Sequence, residues 1–434
     1  MADSEISGGD GAEPPGEDRQ NIFQILGPGL ITGASDDDPS GIATYSQAGA
    51  QFSFDTAWLL IFSWPLMCAI QEISARIGRV TGRGIGGNLA AHYPKSVFGV
   101  IILLLLTANT INLGADLGAM AAGLKLVIGG PQLLYVAAFG TISALLQVFV
   151  KYARYIFFLK WLSLALLAYV GVAIVVHVPW PTVVQHIVMP RIKWSRDYLT
   201  VVVAILGTTI SPYLFFWQAE EEVEDVRQSD DAEPLRRAPS QARPEFERIR
   251  LDTYIGMALS NIVALFIVIT CATTLAAHGV ANIQTSAQAA QALKPIAGPA
   301  VFLVFALGIV GTGFLAVPVL AGSAAYAMGE ALGWTVGLAR SPKRAREFYL
   351  TIAAATLVGV ILNFTPIDPI KALFWSAVIN GVVAAPVMAI MMLMAVRPKI
   401  MGRFTLPWPL ATLGWISTAA MAAAAVGMFA TLGH

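Results

Sequence analysis

The chain of 434 residues carries no net formal charge; 56% of it is hydrophobic, only 12% is charged, and its mean hydropathy is +0.67. Soluble domains carry about twice that share of charge, so the composition excludes a soluble globular protein and indicates an all-α polytopic membrane protein set in a lipid bilayer. Zero net charge offers no basic field, and no nucleic-acid partner is expected.

Residues 1–20 are acidic and rich in Gly and Pro, without a basic start or a short apolar core, which reads as a disordered cytoplasmic tail and not a signal peptide. From 21 to 431 a single transmembrane domain is expected. Its eleven spans lie near 21–50, 55–78, 96–124, 131–150, 155–177, 198–218, 251–276, 300–329, 348–364, 370–396 and 407–431. The first is interrupted at Asp36-Asp37-Asp38-Pro39-Ser40-Gly41, and the sixth at Gly207-Thr208-Thr209-Ile210-Ser211-Pro212. Proline lacks a backbone donor and clashes with the preceding turn, so both helices should unwind there. The eighth span carries Gly311, Gly313 and Pro318 inside a long apolar run, which leaves its boundaries open. Cys68 and Cys271 sit in apolar runs without a Cys or His neighbour and read as small buried hydrophobes.

The basic residues orient the spans. With the N-terminus in the cytoplasm, 20 Lys and Arg fall on inner loops and 6 on outer ones, with Arg19 in the tail. Such a bias predicts N-in and C-out with an odd number of spans. Residues 219–250 form a cytoplasmic loop on this reading, and Glu220, Glu221, Glu222, Glu224 and Asp225 read as a solvated helix end able to draw cations to the inner mouth. The outer stretch from His177 to Trp194 reads as interfacial. Glu72 and Arg76 are spaced i, i+4 and should pair.

Spans one and six are separated by four others, so Pro39 and Pro212 occupy the same place in two five-helix halves. An odd number per half inverts the second, giving a 5+5 inverted repeat with span eleven appended. Paired broken helices point to a transporter's substrate site near the midplane. A carboxylate buried there without compensation costs several kcal/mol, so the Asp run calls for water or a cation. Asp38, directly before the break, is the leading candidate; Asp36 and Asp37 stand evenly between cation ligands and groups neutralised by neighbours. Around the second break the Thr208 carbonyl and the Thr209 and Ser211 hydroxyls are hard oxygen donors, and no Met, Cys or His lies between 198 and 218. Hard ligands suit Mg²⁺, Ca²⁺ or Mn²⁺, and Ser40 and Gly41 leave room for the waters Mg²⁺ retains.

The Gly27-Pro28-Gly29 opening, the Asp38-Pro39 break and the Pro-centred sixth span resemble the natural-resistance-associated macrophage protein (NRAMP) family of divalent-metal transporters. That resemblance implies a LeuT-like fold, a monomer, and Mn²⁺ or Fe²⁺ carried with protons. The family's Asp-Pro-Gly-Asn is Asp38-Pro39-Ser40-Gly41 here, so the metal-binding Asp carries over and the Asn becomes Gly41. Its Met-Pro-His is Ser211-Pro212-Tyr213, which replaces the soft ligand by Ser211 and the proton-handling His by Tyr213; the carbonyl ligand falls on Thr208. Its Asp-Leu-Ala-Glu-like stretch is Asp116-Leu117-Gly118-Ala119, which keeps the Asp alone. These departures look like the NRAMP-related magnesium-transporter branch, which relaxes that metal selectivity, and the resemblance leaves proton coupling open.

The expectation is therefore a Mg²⁺ or Mn²⁺ transporter working by alternating access, in a bacterial-type inner or plasma membrane, with no resident cofactor. Asp38, Asp37, Gly41, Thr208 and Ser211 form the expected cation set, and Asp116, Tyr213, Asp36 and Asn380 its pathway or coupling set. For Asp116 an intramembrane functional acid and a packing hydrogen bond to Asn109 or Asn112 stand even. His92, His177, His186, His278 and His434 all fall in or near loops. An organic-substrate symporter (amine or amino acid) of the same architecture is the alternative, although three Asp residues oppose a substrate carboxylate. A scaffold would leave the buried acids and breaks without purpose, and no nucleophile–base pair suggests an enzyme.

Overall fold

Prolines open many of the helices: Pro39, Pro212 and Pro369 are each the first residue of one. There the missing N–H would have been unsatisfied in any case. Asp38 and Asp368 cap two of these starts, each accepting from a backbone N–H of the first turn. Pro65, Pro318 and Pro386 instead lie inside helices. The computed structural model describes residues 32–33, 35–150, 166–229 and 231–431. The expected tail at 1–20, the Gly27-Pro28-Gly29 opening, the first part of span five (155–165) and His434 lie outside the described residues.

Among the described residues the chain is nearly all helical, and 8 helices are long and apolar enough to cross a membrane. Span two is Ala57–Thr81, span three Lys95–Ile128, span four Gln132–Phe149, and span seven Ala242–Thr274. Span eight is Val301–Leu332, ten is Pro369–Ala395 and eleven is Trp408–Ala430. Span eight is one unbroken helix despite Pro318, close to the expected 300–329. The remaining expected spans appear as Pro39–Phe52, Leu167–Val175 and the 17-residue helix Arg346–Leu362.

Span six is broken as its sequence requires. Arg196–Thr209 ends before Ile210 and Ser211, and Pro212–Gln228 resumes after them. The most apolar stretch of this broken helix is wholly buried, whereas spans four and eleven leave most of theirs uncovered. Leu134, Leu145 and Phe149 on span four and Ile416 and Val426 on span eleven are exposed, an apolar belt suited to lipid. Broken helices thus occupy the protein-lined centre, where unpaired backbone is tolerated.

Two packings frame the breaks. Pro39–Phe52 lies along span seven, and Pro212–Gln228 along span two. Both contacts are made at glycines, Gly49 against the Val268 carbonyl and Gly78 against Ala219. Spans three, eight and ten complete the surround.

The loop expected at 219–250 is mostly helix. Pro212–Gln228 runs ten residues past its expected end, and span seven begins at Ala242. The acidic run is not a solvated helix end: Glu220, Glu222 and Glu224 are buried, Glu221 is partly covered and Asp225 is exposed. At Glu222 the burial is tolerated because a cation comes with it. Arg248 pairs with Glu222 at 2.5 Å and with Glu245 at 3.0 Å, and Arg79 reaches Glu245 at 3.2 Å. Glu72 and Arg76 pair as their spacing predicts, at 2.7 Å. On the opposite face Asp55 meets His186 at 2.8 Å and Lys193 at 2.6 Å.

Candidate functional site

Each proline of the breaks leaves one carbonyl without its helical donor. In an α-helix the N–H of residue i+4 bonds the carbonyl of residue i. Pro39 therefore withholds a donor from Ser35, and Pro212 withholds one from Thr208. The freed carbonyls sit beside side chains that follow the breaks. The Tyr213 hydroxyl stands 3.3 Å from the Ser35 carbonyl, and the Ser211 hydroxyl donates at 2.8 Å to the Thr208 carbonyl and at 2.6 Å to that of Gly207.

Asp38 is the centre of the arrangement and is buried. Its extended backbone caps the helix that Pro39 begins. Oδ1 accepts from the Ser40 hydroxyl at 2.6 Å and from the Gly41 N–H at 2.7 Å. Oδ2 faces across the break, accepting from Asn112 Nδ2 at 3.0 Å with the Tyr213 hydroxyl 3.5 Å away. The helix N-terminus beneath it favours the ionised form. One oxygen thus serves the fold, and the other points at spans three and six.

Gly41 brings Asp38 a donor, and a β-carbon there would stand 3.2 Å from the Tyr45 ring and 3.5 Å from Asp38 Oδ1. Thr208 Oγ1 lies 3.0 Å from the Tyr45 hydroxyl, tying the first half of span six to span one. Asp36 and Asp37 turn to span seven, where the Ser260 hydroxyl is 2.5 Å from Asp36 Oδ2 and 3.2 Å from Asp37 Oδ1. Among the described residues Asp36 Oδ1 has no hydrogen-bond partner. The three carboxylates are therefore divided between two sets of partners. Among the described residues no group of three His, Cys, Asp or Glu is arranged to hold a metal; a cation at Asp38 would be met mainly by neutral oxygens.

Asp116 is buried, and among the described residues neither of its oxygens has a hydrogen-bond partner. The packing bond to Asn109 or Asn112 is not formed, because both amides are engaged elsewhere. Asn109 donates to the Leu320 carbonyl at 3.1 Å and to Ser323 at 2.8 Å; Asn112 binds Asp38 and accepts from Ser376 at 2.6 Å. Asn380 is buried one turn beyond Ser376, with its amide unpartnered. Span ten comes this close because Gly207 and Gly381 face each other: a β-carbon on Gly207 would stand 2.5 Å from the Gly381 nitrogen.

Sequence reasoning missed Asn112, Ser376 and Ser260 as partners of the Asp run. The signal was present in part, since Asn112 precedes Asp116 by four residues and shares its face of span three. Which break residue each would meet depends on helix packing.

Beyond the second half of span one a cavity of about 440 Å³ opens, lined in part by Ala43, Gln47, Thr200, Arg196 and Lys371. Ala43 is five helical residues from Asp38, about 7.5 Å along the axis. At the other end Thr32 donates to Gln218 and Ser74 to the Phe215 carbonyl, joining the chain before the first break and span two to the second half of span six.

The chain is similar to known transporters in sequence and in fold. The Divalent metal cation transporter MntH of Deinococcus radiodurans is 25% identical over 408 residues, 92% of this chain and 87% of that protein. The manganese transporter of Eremococcus coleocola, solved with an aromatic bis-isothiourea substituted compound, superposes with a TM-score of 0.74 at 15% identity, covering 96% of this chain and 87% of its own. Mhp1, a nucleobase-cation-symport-1 family transporter, gives a TM-score of 0.58 at 14% identity over 94% of this chain and 91% of its own. The model of the Natural resistance-associated macrophage protein-like family matches residues 29–431, and the chain belongs to that family.

Proposed function

We propose that the chain is a divalent-cation transporter that carries Mg²⁺ or Mn²⁺, with Asp38 as its charged ligand. The observation that carries this reading is the convergence of Asp38 Oδ2 with the second helix break across Tyr213, beside two carbonyls stripped of helical donors. The Thr208 and Ser35 carbonyls, the Ser211 hydroxyl and retained waters complete a hard-oxygen shell for the ion. Ser211 turns its proton to the Gly207 and Thr208 carbonyls, so its lone pairs are free to face a cation. Asp37, with Asp36, supplies negative potential from the Ser260 side, and Gly41 keeps room for water. Asn380 and Asp116, buried and unpartnered, lie on the helices that surround the breaks.

The eleven-span reading, with the N-terminus inside, places the 440 Å³ cavity on the outer side. Its inner counterpart is closed by the Thr32–Gln218 and Ser74–Phe215 contacts. The matched packings of Pro39–Phe52 on span seven and Pro212–Gln228 on span two support the 5+5 inverted repeat. Alternating access then consists of opening one closed end while closing the other. Tyr213 stands where the family places a proton-handling His, which favours uptake without obligatory proton movement.

Uptake into proteoliposomes, read with Mg²⁺- and Mn²⁺-sensitive dyes beside a pH dye, tests the reading. Wild type should admit the metal without acidifying the lumen, and Asp38→Ala should abolish the flux. Equal metal flux through Asp38→Ala would discard the assignment.

A further inference from the structure

We propose a second divalent-cation site, on the side of the molecule opposite the 440 Å³ cavity, formed by Glu220 of the second half of span six and Glu330 of span eight. It lies away from Asp38 and takes no part in the cation shell described above.

Two carboxylates meet there across a single glycine. A β-carbon on Gly84 would overlap Glu220 Oε1 and stand 2.6 Å from Glu330 Oε2. Glu330 is anchored: its oxygens accept from the Gly84 N–H at 2.9 Å and the Gly87 N–H at 2.6 Å. These amides belong to the turn that starts the short helix Ile85–His92, between spans two and three. Glu220 differs. It has no exposure, and among the described residues neither of its oxygens accepts from an N–H or a hydroxyl; its side-chain partner is the Glu330 carboxyl. The nearest basic group of its own helix, Arg227, is turned to Glu224 at 3.7 Å, and Glu224 also accepts from Tyr326 at 3.1 Å.

A buried carboxylate facing a second carboxylate is destabilised unless a proton or a metal cation lies between them. The anchored oxygens of Glu330 keep a lone pair each beyond the one used by an amide. Oxygen pairs of this kind, completed by waters, suit Mg²⁺ or Mn²⁺. Glu330 is only partly covered, which gives the ion a route from solution. Bound there, the ion would tie span six to span eight and to the turn between spans two and three. The second half of span six is also the element that the Thr32–Gln218 and Ser74–Phe215 contacts hold at that closed end. On the transporter reading, the ion that accumulates in the cell would hold the inner end shut.

The binding claim is tested apart from transport, by titrating detergent-solubilised Asp38→Ala protein with Mn²⁺ and following the free ion by EPR. One bound ion in Asp38→Ala, lost on adding either Glu220→Gln or Glu330→Gln, is the expected result. Gel filtration and melting curves identify a variant that has failed to fold, and Glu330→Gln retains an acceptor for one of the two amides. An Asp38→Ala protein that binds no ion, or one that keeps its ion through both substitutions, overturns the site. A proton shared by the two carboxylates would give that same negative result. For the gating role, Mn²⁺ uptake is compared with and without Mg²⁺ in the lumen. The ratio should fall by about fivefold in wild type and recover in Glu220→Gln and Glu330→Gln. Equal inhibition in all three proteins removes the gating role, while loss of uptake with binding intact removes the transport reading alone.

Discussion

Asp38 concentrates the chemistry because its two oxygens have separate duties. Oδ1 closes the N-terminus of its own helix and Oδ2 faces the neighbouring spans. Asp38→Asn keeps the cap acceptor and removes the charge, so uptake should fall by about a hundredfold or more while the melting temperature changes little. Asn112 holds Oδ2 from span three and is itself held by Ser376. Asn112→Leu should raise KM for the metal more than it lowers the maximal rate, measured by initial dye uptake across a concentration series. Ser211 offers a hard oxygen where a thioether would be soft. Ser211→Met should shift preference from Mg²⁺ toward Mn²⁺ by about tenfold in competition assays; an unchanged ratio would place Ser211 outside the ion's shell.

At the level of helices, the second break depends on one absent proton. Pro212→Ala returns an N–H to the Thr208 carbonyl and removes the ring clash, which favours a continuous helix. The expected outcome is a protein at least as stable as wild type that transports poorly, checked by parallel melting curves and uptake. Next to the break, Gly207 lets span ten lie directly on span six. Gly207→Val should cost about 1–3 kcal/mol through overpacking against Gly381, seen as a lowered melting temperature in detergent. The break at Pro212 was legible in the sequence, since proline's missing donor acts locally. The length of the following helix was not: nothing in Glu220–Asp225 itself announces that Arg248, 26 residues beyond Glu222, will neutralise it. Span eight, whose Gly and Pro residues left its boundaries open, runs from Val301 to Leu332 and packs along span three.

Across the whole molecule, charges join elements that are remote in sequence. Arg248 links span seven to the second half of span six through Glu222, which is fully buried. Arg248→Ala leaves that carboxylate unpaired and should cost about 3–5 kcal/mol; thermal unfolding with Arg248→Lys as a partial rescue checks it. Composition and apolar run length determined the membrane setting by themselves, because hydrocarbon admits only long apolar helices with internally satisfied backbones. Sequence also determined where two helices must break and that an acid stands at one break, because a proline's effect reaches only one turn. Tertiary structure decided what those acids face. It divided Asp38 from Asp36 and Asp37, engaged Asn112 and Ser376, left Asp116 unpartnered among the described residues, and buried Glu220 beside Gly84. The partners come from spans far apart in the chain, and helical periodicity specifies which residues share a face but not which neighbour that face will meet.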